Sequence, residues 1–254
     1  MKSQIYDQAK YYEIAFSFID PKKQADLFEQ FIRKYSKIEV GAVLDLACGT
    51  ALQLREIAKR GYRAIGLDSN SKMLEYLKKV ASEEGLKIET IKANMNNFKL
   101  KQKVDFAYIM MGSIIYVGNN NSFLSHLNSV AGSLKSGGLY LLENVAMTWS
   151  DPKFLKTQSW TIKEKNIKVK TTYKLTPKDS LRQIVSQNFV LEVDDNGVKR
   201  KYTNQDDLKI IFPEELKLLI EKNGKFEFLG FFERYRAKRL KDISSDNIVL
   251  LRKK

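Results

Sequence analysis

Val43-Leu44-Asp45-Leu46-Ala47-Cys48-Gly49-Thr50 is an apolar run that carries one carboxylate and closes in small residues. Ala42 to Leu46 has the length and apolarity of a buried parallel strand, and a helix over Ala51 to Arg60, stopped at Gly61, is expected immediately after it. A strand that turns at once into a helix puts bare backbone, an acidic side chain and a helix N-terminus at one edge of a sheet. A nucleotide-like ligand can lie there close to main-chain atoms. Taken alone, the segment reads as an ordinary tight strand-to-helix turn; its surroundings decide otherwise.

Downstream the pattern repeats. Strand Arg63 to Leu67, helix Ser71 to Ser82, and strands Lys87 to Lys92 and Val104 to Met110 are followed by a helix from about Asn121 to Leu134. The turn Ser136-Gly137-Gly138 then leads into strand Leu139 to Val145. Alternation of this kind implies right-handed crossovers and a parallel sheet. Upstream, residues 1–39 read as helical, with apolar positions Ile14, Ala15, Phe18 and Ile19, then Leu27, Phe28, Phe31 and Ile32 after a helix start at Asp20-Pro21.

Beyond Val145 the character changes. Trp160 to Lys174, Leu181 to Val193 and Val198 to Asp207 are alternating and β-branched, with Asp194-Asp195-Asn196-Gly197 as a hairpin turn. Phe212-Pro213-Glu214-Glu215 opens a helix ending at Asn223-Gly224, and strands Phe226 to Phe232 and Asn247 to Arg252 resume the parallel theme. The expected fold class is α/β: a doubly wound, mostly parallel seven-stranded sheet with an antiparallel β insertion. The expected units are an N-terminal helical segment at 1–39, a main domain from 40–150 and 208–254, and the insertion at 151–207.

Composition bounds the function. A chain of 254 residues with 43% hydrophobic residues, 11% aromatics and 4 prolines can bury one large core with an insertion. No uncharged apolar run approaches the roughly 18 to 20 residues that cross a bilayer, and Met1 to Lys10 lacks the apolar stretch of a signal peptide, so a cytoplasmic protein without membrane partners is expected. The single cysteine, Cys48, has no partner for an internal disulfide. Lys and Arg number 44 against 30 Asp and Glu, a net charge of +14 spread along the chain. Distributed charge favours a solvated surface over a nucleic-acid patch, although RNA stays open as an alternative.

Nineteen residues after Gly49, Asp68 ends the second strand in Gly66-Leu67-Asp68-Ser69-Asn70, where a carboxylate can accept from both hydroxyls of a ribose as well as start the next helix. Dinucleotide dehydrogenases share this geometry, but their Gly-x-Gly-x-x-Gly loop supports a pyrophosphate, and only Gly49 stands here. The phosphate-loop ending Gly-Lys-Ser/Thr is also absent. A ligand with a ribose and no pyrophosphate fits better.

On these residues the sequence resembles the class I S-adenosylmethionine-dependent methyltransferases, more narrowly their small-molecule branch with an Asp-x-x-Cys-Gly-Thr loop, over roughly Val40 to Val145. The resemblance implies a Rossmann-like methyltransferase fold, S-adenosyl-L-methionine as cofactor, no metal, and methyl transfer to an N or O nucleophile of a small molecule. It implies that Asp45, Ala47, Cys48 and Gly49 lie along the methionine part, that Asp68 holds the ribose and that Ser69 and Met73 border the adenine. The family's Gly-Asp-Met-x-x-Phe is matched by Ala93-Asn94-Met95-Asn96-Asn97-Phe98. Asn94 replaces the usual aspartate as acceptor for the adenine amino group, Met95 supplies an apolar face, and Asn96 completes the segment.

Met110 to Tyr116 would border the sulfonium, with Met111 and Gly112 nearest the cofactor. An Asn-Pro-Pro-Tyr signature and a cysteine able to attack a pyrimidine are both missing, which disfavours the commonest base-methylating mechanisms. Tyr11 and Tyr12 fall in a helix resembling the family's clamp over the cofactor. Tyr11, Tyr116 and Glu143 are the candidates for acceptor contact. The insertion resembles a lid, with Trp160, Tyr173, Arg182 and Phe189 as its lining. His126, the only histidine, is expected to be solvent-facing or structural. The alternatives are an RNA methyltransferase and a non-catalytic cofactor-binding partner subunit; oligomeric state is not legible.

Overall fold

The computed structural model describes residues 5–151, 156–241 and 246–254. After a 3-10 helix at Ile5–Asp7 come α1 (Ala9–Ala15), α2 (Pro21–Tyr35), β1 (Ala42–Leu46), α3 (Leu52–Lys59), β2 (Arg63–Asp68), α4 (Ser71–Glu83), β3 (Ile88–Lys92) and β4 (Val104–Ile109). A second 3-10 helix, Ser113–Val117, precedes α5 (Asn120–Ser133) and β5 (Leu134–Glu143). Then follow β6 (Gln158–Glu164), β7 (Ile167–Asp179), β8 (Ile184–Asp195), β9 (Val198–Lys209), α6 (Pro213–Asn223), β10 (Phe226–Glu233) and β11 (Asn247–Lys253).

Seven strands form one sheet in the order β10-β11-β5-β4-β1-β2-β3, and β6 to β9 form a separate antiparallel sheet. The main sheet is buried on both faces. Leu44, Leu46, Ala107, Ile109, Tyr140 and Leu142 pack on one side with Phe123, Leu127 and Val130 of α5 and Leu216 and Leu219 of α6. Val43, Phe106, Tyr108, Leu139 and Leu141 pack on the other with Ala25, Phe28 and Phe31 of α2. Alternate residues serve opposite faces, which is why β1 and β4 are apolar throughout except for Asp45 and Asp105. α2 begins as expected, with Asp20 accepting from the backbone of Lys22 (3.1 Å) and Lys23 (3.2 Å) ahead of Pro21.

The second sheet lies against the N-terminal segment. Val169, Phe189, Leu191 and Val193 form a cluster with Ile5, Ile14 and Ala15. Two stretches far apart in sequence thus make one wall.

Three expectations are corrected. Trp160 to Lys174 is two strands: the chain reverses at Lys165-Asn166, with Lys165 at φ 52°, a turn that contains no glycine to signal it. The turn at Ser136-Gly137-Gly138 is part of β5, which leaves α5 directly at Leu134 and crosses the glycines at a register shift against β4. At Gly138 a Cβ would sit 2.5 Å from the Asp105 carbonyl, so the strands meet there only because the residue has none. Of the last two strands only β10 runs with the parallel set; β11 pairs antiparallel with both β10 and β5. No helix among the described residues is long and apolar enough to cross a membrane.

Candidate functional site

The strand order reverses between β1 and β4, and a crevice opens there at the carboxyl ends of the strands. The backbone at these tips is held in the left-handed region at Ala47 (φ 53°), Gly49 (φ 53°) and Ala51 (φ 57°) after β1, at Met111 (φ 57°) after β4, and at Asn144 (φ 54°) after β5. Non-glycine residues rarely adopt this conformation, and its repetition at three adjacent tips points to a shaped backbone surface. Asp45 is buried beneath it and accepts from the Tyr108 hydroxyl at 3.1 Å, its neighbour in register on β4. Burial pushes the Asp45 carboxyl well above the usual carboxylate range, against the hydrogen bond from Tyr108. Beside it a recess of about 40 Å³ is lined by Ala47, Cys48, Gly49 and Met111, among others.

Asp68 sits at the tip of β2. Its Oδ2 accepts from the Gly49 backbone N–H at 2.8 Å and its Oδ1 from that of Asn70 at 2.8 Å. Burial raises its pKa while these backbone donors lower it. The Ser69 backbone N–H also acts on the carboxylate, which still keeps acceptor capacity for a further donor. Asn70, not Asp68, caps α4, accepting from the backbone of Lys72 and Met73.

A cavity of about 990 Å³ extends from this edge, and Asp68, Ser69, Met73, Asn94, Met95, Ala47, Gly49, Met111 and Gly112 all line it. The Asn94 side-chain carbonyl accepts from the Asn96 backbone at 2.8 Å. α5 pins this loop from behind: Ser125 donates to the Asn96 carbonyl at 2.6 Å, and His126 Nδ1 lies 2.8 Å from the Met95 carbonyl. A carbonyl only accepts, so His126 carries its proton on Nδ1, and Nε2 accepts from the Tyr140 hydroxyl at 2.6 Å. His126 is therefore structural and fully enclosed, and burial lowers its pKa to about 4.

Opposite the strand tips stands an aromatic wall. Phe189 of β8 has ring centroids of Tyr6 and Tyr12 at 6.4 Å, Phe16 at 6.1 Å and Tyr173 at 5.8 Å. The Trp160 indole N–H donates to the Ala15 carbonyl at 2.7 Å and ties α1 to β6. A polar chain crosses the wall: Tyr6 and Tyr116 hydroxyls are 2.7 Å apart, Tyr116 donates to Gln187 Oε1 at 2.6 Å, and Gln187 Nε2 donates to the Tyr173 hydroxyl at 3.1 Å. Because Tyr116 gives its proton to Gln187, Tyr6 is the donor of the first bond.

Several candidates lie elsewhere. Tyr11 points away from the cavity and donates to Asp195 at 2.8 Å, because helical geometry turns it about 100° from Tyr12, which does line the cavity. Glu143 is fully buried, accepting from the Met111 backbone N–H and from Arg234 Nε at 2.5 Å, and it holds the β4 and β5 tips together instead of facing an acceptor. Asn96 donates to the Val117 carbonyl at 3.2 Å and supports the loop from outside. Cys48 borders the small recess only, its thiol pushed up by burial. Arg182 is in the exposed turn between β7 and β8 and does not line this cavity. The cavity also holds residues the sequence did not single out: Tyr6, Asn144, Gln187, Asn204, Asp206 and Arg234. For Gln187, Asn204 and Asp206 the signal was parity, since they alternate with outward residues on β8 and β9.

Residues 43–138 match a family model described as a methyltransferase domain. No curated protein matches the sequence. Among solved structures, an S-adenosylmethionine-dependent methyltransferase of Clostridium acetobutylicum is similar with a TM-score of 0.80 and 17% identity over 95% of each chain. A sugar N-methyltransferase of a Streptoalloteichus species is similar with a TM-score of 0.76 and 16% identity over 100% of this chain and 94% of that one. An amino pentose methyltransferase of Micromonospora echinaspora, solved with S-adenosylmethionine bound, gives 0.73 and 17% over 100% and 98%. At these identities the likeness is one of fold.

Proposed function

From the premise that its central sheet carries a class I S-adenosylmethionine-dependent methyltransferase domain, we propose that this enzyme methylates an N or O nucleophile of a small molecule held beneath the four-stranded sheet. The observation that carries the reading is the cavity of about 990 Å³, in which the β1, β2 and β4 tips face an aromatic wall from α1 and β6 to β8. Its volume suits a cofactor and a small acceptor together.

The residues present fit the cofactor. Asp68 has acceptor capacity left for the ribose hydroxyls, Ser69 and Met73 border the adenine with Asn94 and Met95, and Ala47 and Gly49 expose backbone beside the recess at Asp45. The bound cofactor supplies a methyl group already activated on a positively charged sulfur. Tyr6, Tyr12 and Phe16 present aromatic faces that favour positive charge and exclude water, and Met111 and Gly112 leave room where the β4 tip turns. Alignment and desolvation are the protein's main tasks in such a displacement. The N-terminal segment 1–39 acts as the clamp and 151–207 as the lid over the domain formed by 40–150 and 208–254. Two of the similar structures are of sugar N- and amino pentose methyltransferases, which supports a small acceptor.

Incubation of the purified protein and methyl-labelled cofactor with fractionated metabolites, and separately with total RNA, tests the reading. Label in a metabolite fraction is expected. Label in RNA would replace it with the RNA reading that the +14 charge leaves open, and cofactor binding without any transfer would indicate a partner subunit.

A further inference from the structure

We propose that Asp206 binds the acceptor through its amine, which narrows the small-molecule reading above, on which it rests, to methylation at nitrogen. On β9, Asn204 and Asp206 turn into the cavity while Asp207 turns out and pairs with Lys178 at 2.5 Å. Asp206 is half-buried, and its Oδ2 accepts from Asn204 Nδ2 at 2.7 Å. Among the described residues no lysine, arginine or histidine forms an ion pair with it, in a chain where 44 Lys and Arg outnumber 30 Asp and Glu. Arg234, the cation that lines the same cavity, is held by Glu143 at 2.5 Å and Asp246 at 3.2 Å. A half-buried carboxylate facing a cavity without a counter-charge is costly, and a cationic ligand group offsets that cost.

The position suits the chemistry. Asp206 stands directly across from Gln187 in strand register, and Gln187 accepts from Tyr116 at 2.6 Å, in the segment that follows β4. The carboxylate therefore faces the turn expected beside the transferred methyl. An amine that has shed its extra proton to water donates an N–H to Asp206 and keeps its lone pair free for the methyl carbon. The N–C bond forms from that lone pair, the C–S bond breaks with its electrons remaining on sulfur, and the positive charge lost by sulfur appears on nitrogen. Asp206 stabilises that charge as it develops, and the methylated ammonium then loses a proton to water. A hydroxyl also donates to a carboxylate, but it arrives without the positive charge that an ammonium brings to offset the burial of Asp206.

The test divides a metabolite extract on a cation exchanger into retained amines and unretained compounds. Each fraction is incubated with methyl-labelled cofactor and wild-type protein, Asp206→Asn or Asp206→Ala. Label is expected in the retained fraction, with kcat/KM lowered at least tenfold in both variants and cofactor affinity by calorimetry within twofold of wild type. Equilibrium dialysis with S-adenosylhomocysteine, in the absence of turnover, is expected to show less of the same amine bound by Asp206→Asn. Label confined to the unretained fraction, or variants that bind and methylate the amine as wild type does, would overturn the role of Asp206 and leave the methyltransferase reading standing. No label in any metabolite fraction with wild-type protein would overturn both.

Discussion

The Asp68 carboxylate holds the Gly49 and Asn70 backbone at 2.8 Å each, and in the proposed function the same group also takes the ribose. Asp68→Ala should weaken S-adenosylmethionine binding by roughly 1.5 to 3 kcal/mol, about 10- to 150-fold, on loss of a charge-assisted ribose contact. Calorimetric titration checks this, and an unchanged affinity would place the ribose elsewhere. His126 supplies a pH test. Its folded-state pKa of about 4 lies below the ordinary 6.5, so the unfolded chain binds more protons between those values. The stability this group contributes is present above the unfolded value and is lost as pH falls toward the folded one, about 2 kcal/mol between pH 8 and pH 5. Urea midpoints of His126→Gln should lack that part of the decline. Asp68 was legible in the sequence because its spacing from Gly49 places it at the next strand tip. Asp206 was overlooked: only the parity it shares with Tyr202 and Leu208 on β9 marks it as inward, a weak signal across the polar run between them.

At the scale of elements, the contact that matters is between α1 and the second sheet. Phe189 stands at its centre, so Phe189→Ala should lower stability by about 3 to 5 kcal/mol if the cavity it leaves does not collapse. The same change should weaken cofactor binding as α1 loosens over the strand tips, while the far-ultraviolet circular dichroism keeps its shape. A titration of cofactor into this variant reads the second effect; wild-type affinity would show that α1 holds its place without the ring. Elements with strong local signals stood where expected: Asp20-Pro21 opens α2, Asn196-Gly197 turns β8 into β9, and Phe212-Pro213 and Asn223-Gly224 bracket α6. The hairpin at Lys165-Asn166 and the direct passage from α5 into β5 were missed, since tertiary pairing imposes them on residues with weak preferences of their own.

For the molecule as a whole, a ligand that binds only the folded state stabilises it by mass action. S-adenosylmethionine at about 100 times its Kd should add about 2.7 kcal/mol and raise Tm by roughly 5 to 10 °C. NAD should leave Tm unchanged, because one glycine in the β1 loop does not make a pyrophosphate site. A thermal melt with each ligand checks both. The sequence by itself determined the doubly wound sheet, the edge at which the crevice opens and the loops at Asp45 and Asp68, because strand-to-helix turns and apolar periodicity are encoded over neighbouring residues. Only the tertiary structure decided that Tyr12 faces the cavity and Tyr11 does not, that Glu143 is tied to Arg234, and that Tyr116, Gln187 and Asp206 meet. Those meetings depend on how one sheet is laid over another, and that placement follows from packing between segments up to about two hundred residues apart, which no local pattern records.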